Sequence, residues 1–375
     1  MSFHDLIDIG WSSFFASAFD SLNINVLVPA RVARAERERY TLMHQRGVSH
    51  AVLAGRLRHE AVGPGDLPVV GDWVATQLGS VPEYCNAHHR EASAEPLPGV
   101  ARIEALLPRR TLLARLDPSG GGSRQPLAAN ADLVLLAAGL DNDFNPRRLE
   151  RGAMLAREAG AEPVVVLTKA DLRTDCRREL SRVMAAVPGA HTLALSSHTG
   201  EGIEDLRALL TSGVTAVLLG SSGAGKSTLV NRLLGCELQR TAQVREADSR
   251  GRHATTHREL FLLPGGGLLI DTPGLRAFGL TGEENVDDLF ADVECFAACC
   301  RFRNCRHEAE PGCGVIEAVE RGELAPERYD SYLKLRSEAE RLERRQTGAT
   351  DMEAKRRSKE LGKLLKRYAR IDPKR

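Results

Sequence analysis

The chain has 375 residues, of which 42% are hydrophobic and 27% are charged, and its formal net charge is +1. This length and apolar content are typical of a soluble globular protein with about two or three domains. The small net charge excludes a global attraction to nucleic acid, and no apolar run approaches the roughly 18 residues that a membrane span needs.

The first residues carry apolar side chains at helical spacing, among them Trp11, Phe14 and Phe15. This pattern predicts a helical extension over residues 1–31. We expect the aromatic stripe to dock on a core, and a partner-binding face is the alternative. Asp5 and Asp8 stand where a secretory signal would carry basic residues, so we expect a cytoplasmic protein with no membrane partner.

Residues 32–116 are rich in short β-prone runs separated by turn residues. The runs cover residues 40–43, 51–54, 69–75 and 101–107. Several short strands in a segment of this size predict a small all-β barrel. The pattern alone leaves an oligonucleotide-binding (OB) barrel and an SH3-like barrel open.

A glycine-rich stretch begins at Asp117 and predicts a linker over residues 117–126. Beyond it, over residues 127–282, apolar strand-like runs alternate with helical patterns. The strand-like runs cover residues 133–138, 163–167, 192–195, 215–219, 260–263 and 268–270. This alternation predicts an α/β domain whose sheet is covered by helices on both faces.

Two polar motifs follow successive strands of this domain. The first motif consists of Thr168, Lys169, Ala170 and Asp171, and the second consists of Ser196 and Ser197. The Asp171 carboxylate can accept both N–H donors of guanine, and a site built on that pair can reject the wrong base by up to ~10⁴-fold. The Lys169 stem would lie along the base plane. Backbone N–H groups of Ser196 and Ser197 are expected to reach the guanine O6.

A glycine loop follows the strand over residues 215–219 and precedes a helical pattern over residues 229–234. The loop consists of Gly220, Ser221, Ser222, Gly223, Ala224, Gly225, Lys226, Ser227 and Thr228. Its glycines allow backbone N–H groups to surround a phosphate, and the helix N-terminus adds partial positive charge. Lys226 would reach the β- and γ-phosphates of GTP, and Ser227 would bind Mg²⁺. The alternative, a chance glycine-rich turn, does not explain the strand and helix that flank it.

Two further segments suit the phosphate end of a GTP site. Asp271 ends the strand over residues 268–270 and would hold Mg²⁺ through water, while Gly274 can donate its N–H to the γ-phosphate. The segment over residues 251–257 lies where the first switch loop belongs. Its Thr256, or otherwise Thr255, would add a hydroxyl to Mg²⁺.

The order of these motifs is unusual, because the guanine elements at Asp171 and Ser196 precede the phosphate loop. In ordinary Ras-like GTPases the phosphate loop comes first. The same sheet can form from a circularly permuted chain, because neighbouring termini can be rejoined without changing the packing. Each motif is weak alone, but together they predict a circularly permuted GTPase domain.

The eight cysteines are unevenly distributed, since five of them lie within residues 295–313. Four ligands with suitable spacing stand there: Cys300, Cys305, His307 and Cys313. Three thiolates and one imidazole predict one structural Zn²⁺ per chain. Cys295 and Cys299 are interpreted as bystanders, although Cys299 could compete with Cys300. A disulfide or an ordinary core is the alternative and is disfavoured in a cytosolic chain.

The C-terminal end is basic, since residues 355–375 hold ten Lys and Arg against two acids. A helix carrying these charges could meet the phosphates of RNA, and a solvated helix face is the alternative. Together with the cysteine cluster, this end predicts a zinc-binding and basic helical domain over residues 283–375.

With this motif order, these flanking domains and this cysteine pattern, residues 32–330 resemble the ribosome small-subunit-dependent GTPase A family. The resemblance implies an OB barrel, a permuted GTPase domain and a C-terminal zinc domain. It also implies that GTP is hydrolysed to GDP during late maturation of the small ribosomal subunit, which stimulates the reaction. The expected partners are that subunit and its rRNA, and we expect a monomer.

The resemblance adds one catalytic candidate, because His253 matches the histidine proposed to position water in that family. An exposed loop histidine is the alternative. The complete catalytic set that we predict is His253, Thr256, Lys226 and Gly274.

Two positions depart from ordinary GTPases. Thr168 stands where many carry Asn, which removes an amide that braces the loop, and Leu275 replaces a water-positioning Gln. Two rival functions stay open at this point: an RNA placeholder with slow hydrolysis, and an ATPase or metal-handling P-loop protein.

Overall fold

The computed structural model describes residues 5–24, 26–36, 39–79, 99–116, 124–141, 144–221, 223–236, 258–272, 289–308, 310–337 and 339–340. The chain forms two compact units. Unit 1 comprises residues 1–115 and 124–279, and unit 2 comprises residues 116–123 and 280–375. Among the described helices, none has the length and apolar character needed to cross a membrane.

The N-terminal segment of unit 1 is a 3₁₀ turn, Ile7–Ile9, followed by helix α1, Ser13–Asp20. Trp11 and Phe15 pack on Trp73 of the barrel, with ring centroids 4.6 and 5.8 Å apart. Phe15 is buried, whereas Phe14 on the other side of the helix is 44% exposed. The stripe therefore docks on a core, as the first of the two interpretations expects.

The described residues of the barrel form five strands and one short α-helix. They are β1 (Val28–Glu36), β2 (Arg39–His44), β3 (Gly47–Leu53), α2 (Gly55–Glu60), β4 (Trp73–Gln77) and β5 (Ala101–Leu106). The strand order β1-β2-β3-β5-β4 closes because β1 also pairs with β4. A bulge between Val32 and Arg34 in the β1–β2 ladder bends β1, which suits the closure of the sheet. A five-stranded barrel with this path, in which β3 and β5 are parallel, confirms the OB type.

The predicted GTPase part of unit 1 contains, in its described residues, a hairpin, a six-stranded sheet and four α-helices. The hairpin is β6 (Leu112–Leu116) with β7 (Arg124–Ala129), and the sheet strands are β8 (Leu133–Gly139), β9 (Glu162–Thr168), β10 (His191–Ala194), β11 (Thr215–Gly220), β12 (Glu259–Leu262) and β13 (Leu268–Asp271). The helices are α3 (Pro146–Glu158), α4 (Arg177–Ala186), α5 (Ile203–Leu209) and α6 (Lys226–Leu234). Apolar side chains from the strands, α5 and α6 form one buried core.

The strand order of this sheet is β10-β9-β8-β11-β13-β12. The first five strands are parallel and β12 is antiparallel to β13. The strand before the phosphate loop, β11, lies at the centre, although three strands of the sheet precede it in the chain. This is the arrangement expected of a circularly permuted GTPase domain.

The strands bear on two predicted domain limits. β1 begins at Val28, before the predicted start of the barrel at residue 32, and β7 begins at Arg124, within the predicted linker. β1 also pairs with β12 through Arg34 and Glu259, so that one hydrogen-bonded sheet continues from the barrel into the GTPase part. The domain limits in the chain otherwise stay predictions.

Unit 2 is helical in its described residues. Its helices are α7 (Ala291–Ala297), α8 (Gly314–Glu320) and α9 over residues 326–337. Arg328 on α9 donates to both carboxylate oxygens of Asp292 on α7 at 3.0 and 2.8 Å. The four predicted zinc ligands lie in or beside the connection between α7 and α8.

Candidate functional site

The predicted nucleotide-binding residues lie at one edge of the GTPase sheet. Because β8, β9, β10, β11 and β13 are parallel, their carboxyl ends meet at this edge. Thr168 ends β9, Ser196 follows β10, Gly220 ends β11 and Asp271 ends β13. Open α/β sheets bind ligands outside the carboxyl ends of their strands.

The phosphate loop has the backbone that its glycines predict. Gly223 and Gly225 have φ values of +88° and +78°, in the left-handed region that favours glycine. Lys226 begins α6 and is buried, and its Nζ donates to the carbonyls of Gly220 at 2.8 Å and Ser221 at 2.6 Å. The Lys226 amine therefore lies against the loop, and α6 begins at the same residue. A positive amine and a helix N-terminus at one place suit an anion.

The guanine motif and the phosphate loop are joined by Thr168. Its buried hydroxyl donates to the carbonyl of Ala224 at 2.7 Å. A side chain at Gly225 would meet Thr168 Oγ1 at 3.5 Å and Lys169 Cε at 4.0 Å. The replacement of Asn by Thr was expected to remove a brace from this loop, but the threonine hydroxyl supplies one.

The Asp171 carboxylate is held by the loop that follows β10. Ser196 Oγ donates to Asp171 Oδ1 at 2.5 Å, and the same hydroxyl accepts from the N–H of Thr199 at 3.1 Å. The N–H of Ser196 itself donates to the carbonyl of Glu201 at 2.9 Å. The Ser196 N–H, which was predicted to donate to the guanine O6, is therefore already used within the protein. Ser196 orients Asp171, and the N–H of Ser197 is the remaining candidate for O6.

An ion pair at the carboxyl-end edge of the sheet was not predicted from the sequence. Lys169 Nζ lies 2.5 Å from Asp141 Oδ2, and Asp141 follows the end of β8. Lys169 has a φ of +61°, which is uncommon for a residue with a side chain. An acidic residue just beyond a buried strand, at the edge that carries the other motifs, was the available signal.

Asp271 and Thr272 lie beside the phosphate-loop strand. Asp271 is buried and pairs with Leu218 of β11 in the parallel ladder. The Thr272 hydroxyl donates to the Leu218 carbonyl at 2.9 Å, which fixes the chain after β13 against β11. A carboxylate at this place, close to the start of the phosphate loop, suits a cation that accompanies phosphates.

A cavity of about 580 Å³ adjoins the same edge between α5 and α6. Two predicted GTP-binding residues, Ser197 and Thr228, line it together with Arg207 and Arg232. Arg207 also donates to the carbonyl of Arg232 at 3.0 Å near the end of α6. A cavity of this volume falls within the range typical of small-ligand sites.

Several predicted residues fall outside the residues that the structure describes. They are Ser222, His253, Thr255, Thr256, Gly274 and Leu275, together with the basic residues 355–375. Their predicted roles therefore stay predictions.

The four predicted zinc ligands of unit 2 come together. The ligand atoms of Cys300, Cys305, His307 and Cys313 all lie within 4.8 Å of one another. His307 Nδ1 is 3.5 Å from Cys300 Sγ and 3.3 Å from Cys313 Sγ, and these two sulfurs are 3.9 Å apart. Tetrahedral Zn–S bonds of about 2.3 Å place sulfurs about 3.8 Å apart, so the cluster fits this metal.

The surroundings of the cluster suit metal ligands. Burial lowers the pKa of His307, and Arg336 acts in the same direction, which favours the neutral imidazole that binds metals. Burial raises the pKa of the Cys305 thiol to about 11, a shift that a bound cation would oppose. Tyr329 Oη donates to the His307 carbonyl at 2.5 Å and supports a backbone with a φ of +61°.

The family profile and the similar curated proteins point to the same family. A family profile described as RsgA GTPase matches residues 106–281. The small ribosomal subunit biogenesis GTPase RsgA of Opitutus terrae is 46% identical over 335 residues, covering 89% of this chain and 89% of that protein. The protein of the same name from Syntrophotalea carbinolica is 41% identical over 371 residues, covering 96% and 97%.

Two solved structures are also similar. YjeQ from Thermotoga maritima aligns with a TM-score of 0.57 and 25% identity, over 84% of this chain and 98% of that chain. YloQ, described as a circularly permuted GTPase, aligns with a TM-score of 0.56 and 22% identity, over 84% and 96%, and supports the fold alone. The predicted permutation is thus confirmed. The chain belongs to the RsgA GTPase family and is a GTP-hydrolysing enzyme.

Proposed function

We propose that this GTPase binds the small ribosomal subunit and assists its late maturation, with hydrolysis stimulated by the subunit and coupled to release. The observation that carries the nucleotide site is the 2.7 Å hydrogen bond from Thr168 to Ala224. It joins the guanine motif to the phosphate loop, although the two are 56 residues apart in the chain. A single ligand with a guanine at one end and phosphates at the other would span them.

At the phosphate end, the loop from Gly220 to Thr228 would surround the phosphates with backbone N–H groups. Lys226 would turn from the carbonyls of Gly220 and Ser221 toward the β- and γ-phosphates. Ser227, Asp271 and Thr256 would hold Mg²⁺, which supplies positive charge against the phosphate oxygens. The buried Asp271 beside β11 supports this donor set.

At the base end, Asp171 would accept the two N–H donors of guanine. Its carboxylate is oriented by Ser196, so little freedom is lost when the base binds. Lys169 would lie along the base plane, with Ala170 completing the turn between the two residues. Ser197 would donate its N–H to the guanine O6.

Catalysis would involve residues outside the described part of the chain. His253 would position the attacking water, and Thr256 and Gly274 would close on the γ-phosphate. In-line attack needs a water held opposite the leaving phosphate, and Leu275 cannot hold it. We assign this role to His253 because it matches the histidine proposed to position water in the family that the chain resembles.

The cysteine and histidine cluster would hold one structural Zn²⁺. Three thiolates and one imidazole fill four positions, which leaves no open site for substrate. The metal would thus stabilise unit 2 and take no part in GTP hydrolysis.

The ribosomal assignment is supported by the relatives, which are named small ribosomal subunit biogenesis GTPases. The OB barrel offers a face of a type that binds oligonucleotides, and the basic C-terminal residues offer charge for rRNA phosphates. We propose a cytoplasmic monomer that hydrolyses GTP on the subunit and is then released from it.

The test is steady-state GTP turnover with purified small ribosomal subunits, with large subunits as the control. We expect stimulation by about 10³-fold with small subunits only, because the partner would complete the catalytic site. His253→Ala should lose most of this stimulation and keep its affinity for GTP. Turnover that saturating small subunits leave unchanged would contradict the proposal.

A further inference from the structure

Asp141 is an acidic residue of the nucleotide edge to which no role has been given above. It follows β8 and lies on Lys169, with Oδ2 2.5 Å from the lysine Nζ. The side chains of Lys169 and Asp141 are 27% and 32% exposed, so the pair is partly shielded from water. Asp141 is therefore held close to Lys169, whose stem is proposed to lie along the plane of the guanine base.

The backbone around Asp141 is shaped for this contact. A side chain at Gly139 would come within 2.8 Å of Asp141 Oδ1, so the glycine leaves room for the carboxylate to fold back along the strand end. The N–H of Leu140 donates to the Thr168 carbonyl at 2.9 Å and continues the pairing of β8 with β9. The segment that carries Asp141 is thus fixed to the residue preceding Lys169.

The lysine stem runs across the phosphate loop as a result. Lys169 Cε lies 4.0 Å from the point where a side chain at Gly225 would begin. The stem is then held at both ends, by the backbone at its Cα and by Asp141 at its ammonium group. A long lysine side chain loses considerable rotamer freedom when it is fixed, and a ligand that orders it must meet that cost.

We propose that Asp141 is a positioning residue for guanine-nucleotide binding, which anchors the Lys169 ammonium so that the stem is already extended when the base arrives. The inference rests on the proposed function of Lys169 and Asp171. Asp141 acts through the lysine and does not touch the nucleotide. Because the base is common to GTP and GDP, the anchor strengthens the binding of both nucleotides by the same factor.

The test measures dissociation constants of fluorescent GTP and GDP analogues for four proteins and one control. The proteins are the wild type, Asp141→Asn, Lys169→Met and the double variant. Asp175→Asn is the matched control, because Asp175 also binds a cationic side chain, Arg177, but lies on an exposed loop. Thermal unfolding of each protein separates loss of fold from loss of binding.

We expect Asp141→Asn to weaken both nucleotides by about threefold to tenfold, the range for a partly shielded ion pair that also restricts a flexible side chain. The KM for GTP should rise by the same factor. In the Lys169→Met background the same substitution should change neither constant, and Asp175→Asn should match the wild type.

Two results would overturn the inference. If Asp141→Asn binds both nucleotides with wild-type dissociation constants, Asp141 does not anchor the lysine. If the substitution weakens nucleotide binding equally in the Lys169→Met background, Asp141 does not act through the lysine. A wild-type protein that binds neither guanine nucleotide overturns the proposed function as well, so the two failures are distinguishable.

Discussion

Thr168 is the side chain that joins the predicted guanine motif to the predicted phosphate loop. It is buried, it ends β9, and its hydroxyl bonds a carbonyl of the phosphate loop. The predicted base and phosphate ends of the site are therefore linked by one short hydrogen bond. Thr168 can brace the phosphate loop without an asparagine amide, because its hydroxyl at the end of β9 donates to the Ala224 carbonyl.

Removal of the Thr168 hydroxyl should loosen the phosphate loop. Thr168→Val keeps the shape but leaves the buried Ala224 carbonyl without this donor, which costs about 1 to 3 kcal/mol. We expect a lower midpoint of thermal unfolding and weaker binding of GTP and GDP, measured by calorimetry. Thr168→Ser should retain both properties.

Thr192→Val is the matched control for that substitution. Its hydroxyl contacts the Ala190 carbonyl at 3.3 Å on the same sheet, away from the phosphate loop. Equal effects of the two valine variants would mean that Thr168 has no special connection with the nucleotide site.

The connection between α7 and α8 is the element that brings the predicted zinc ligands together. It has no helix or strand of its own among its described residues, and its four metal-binding side chains converge on one point. A structural zinc in such a small element contributes on the order of 10 kcal/mol to folding. The fold of this connection is thus expected to follow metal content.

Loss of one zinc ligand should unfold this element. Cys305→Ser removes a buried thiolate, and we expect the zinc content measured by elemental analysis to fall from one per chain toward zero. Hydrogen-exchange protection of residues 300–337 should fall with it. Cys295→Ser, at an exposed cysteine of α7, is the control and should keep its zinc. Protection that survives in Cys305→Ser would contradict a structural role.

The β2–β3 hairpin of the barrel carries a pH-sensitive group. His44 is buried, its Nδ1 accepts from the N–H of Arg46 at 3.2 Å, and its Nε2 lies 3.2 Å from Ser49 Oγ. Burial lowers the pKa of His44, and the charge of Arg46 adds to this effect. The folded barrel therefore favours the neutral ring more than the unfolded chain does.

The sign of the pH dependence follows from this shift. Above a pH of about 6.5, the ring is neutral in both states and the full stability is present. As the pH falls toward the lower folded pKa, the unfolded state takes up the proton first and the free energy of unfolding decreases. His44→Gln should reduce this decrease in denaturant titrations between about pH 7.5 and 5. His50→Gln, at an exposed position of the same hairpin, should behave as the wild type.

Arg31 connects the three parts of unit 1. Its guanidinium donates to the carbonyl of Ile9 in the N-terminal segment, of Gly71 beside the barrel strand β4 and of Asn130 after β7, at 2.5, 3.2 and 3.1 Å. Burial lowers the pKa of Arg31 to about 10, against the opposing effect of Asp132 and Asp72, so the group stays charged at neutral pH. The segment, barrel and GTPase sheet are expected to unfold together.

Replacement of Arg31 should weaken this connection. Arg31→Met fills part of the space but removes the guanidinium donor from the carbonyls of Ile9 and Asn130 and leaves the Gly71 carbonyl with the Asn130 side-chain amide, at a cost on the order of 3 kcal/mol. We expect chemical denaturation to give a broader transition or two separate transitions. Hydrogen exchange measured in the barrel and in the sheet would show whether the two parts unfold separately. Arg56→Met, at an exposed residue of α2 that pairs with Glu60, should unfold as the wild type. A single unchanged transition in Arg31→Met would show that other contacts hold the parts together.

The sequence was sufficient for the features that short patterns encode. Strand-like runs and glycine spacing identified the phosphate loop at Gly220–Thr228, because a loop that surrounds phosphates needs its glycines at fixed intervals between a strand and a helix. The cysteine cluster was equally local, since its four ligands stand within fourteen residues of one another. The reversed order of the motifs along the chain is by itself enough to predict the permutation.

The tertiary structure decided the contacts between residues that are distant in the chain. The Asp141–Lys169 pair, the Thr168–Ala224 bond and the Arg31–Asn130 bond join residues 28, 56 and 99 positions apart. No local pattern specifies such partners, because they depend on which strand ends become neighbours when the sheet and the barrel form. For the same reason the sequence pattern did not predict β7: it begins in the predicted linker and, among the described strands, pairs with β6.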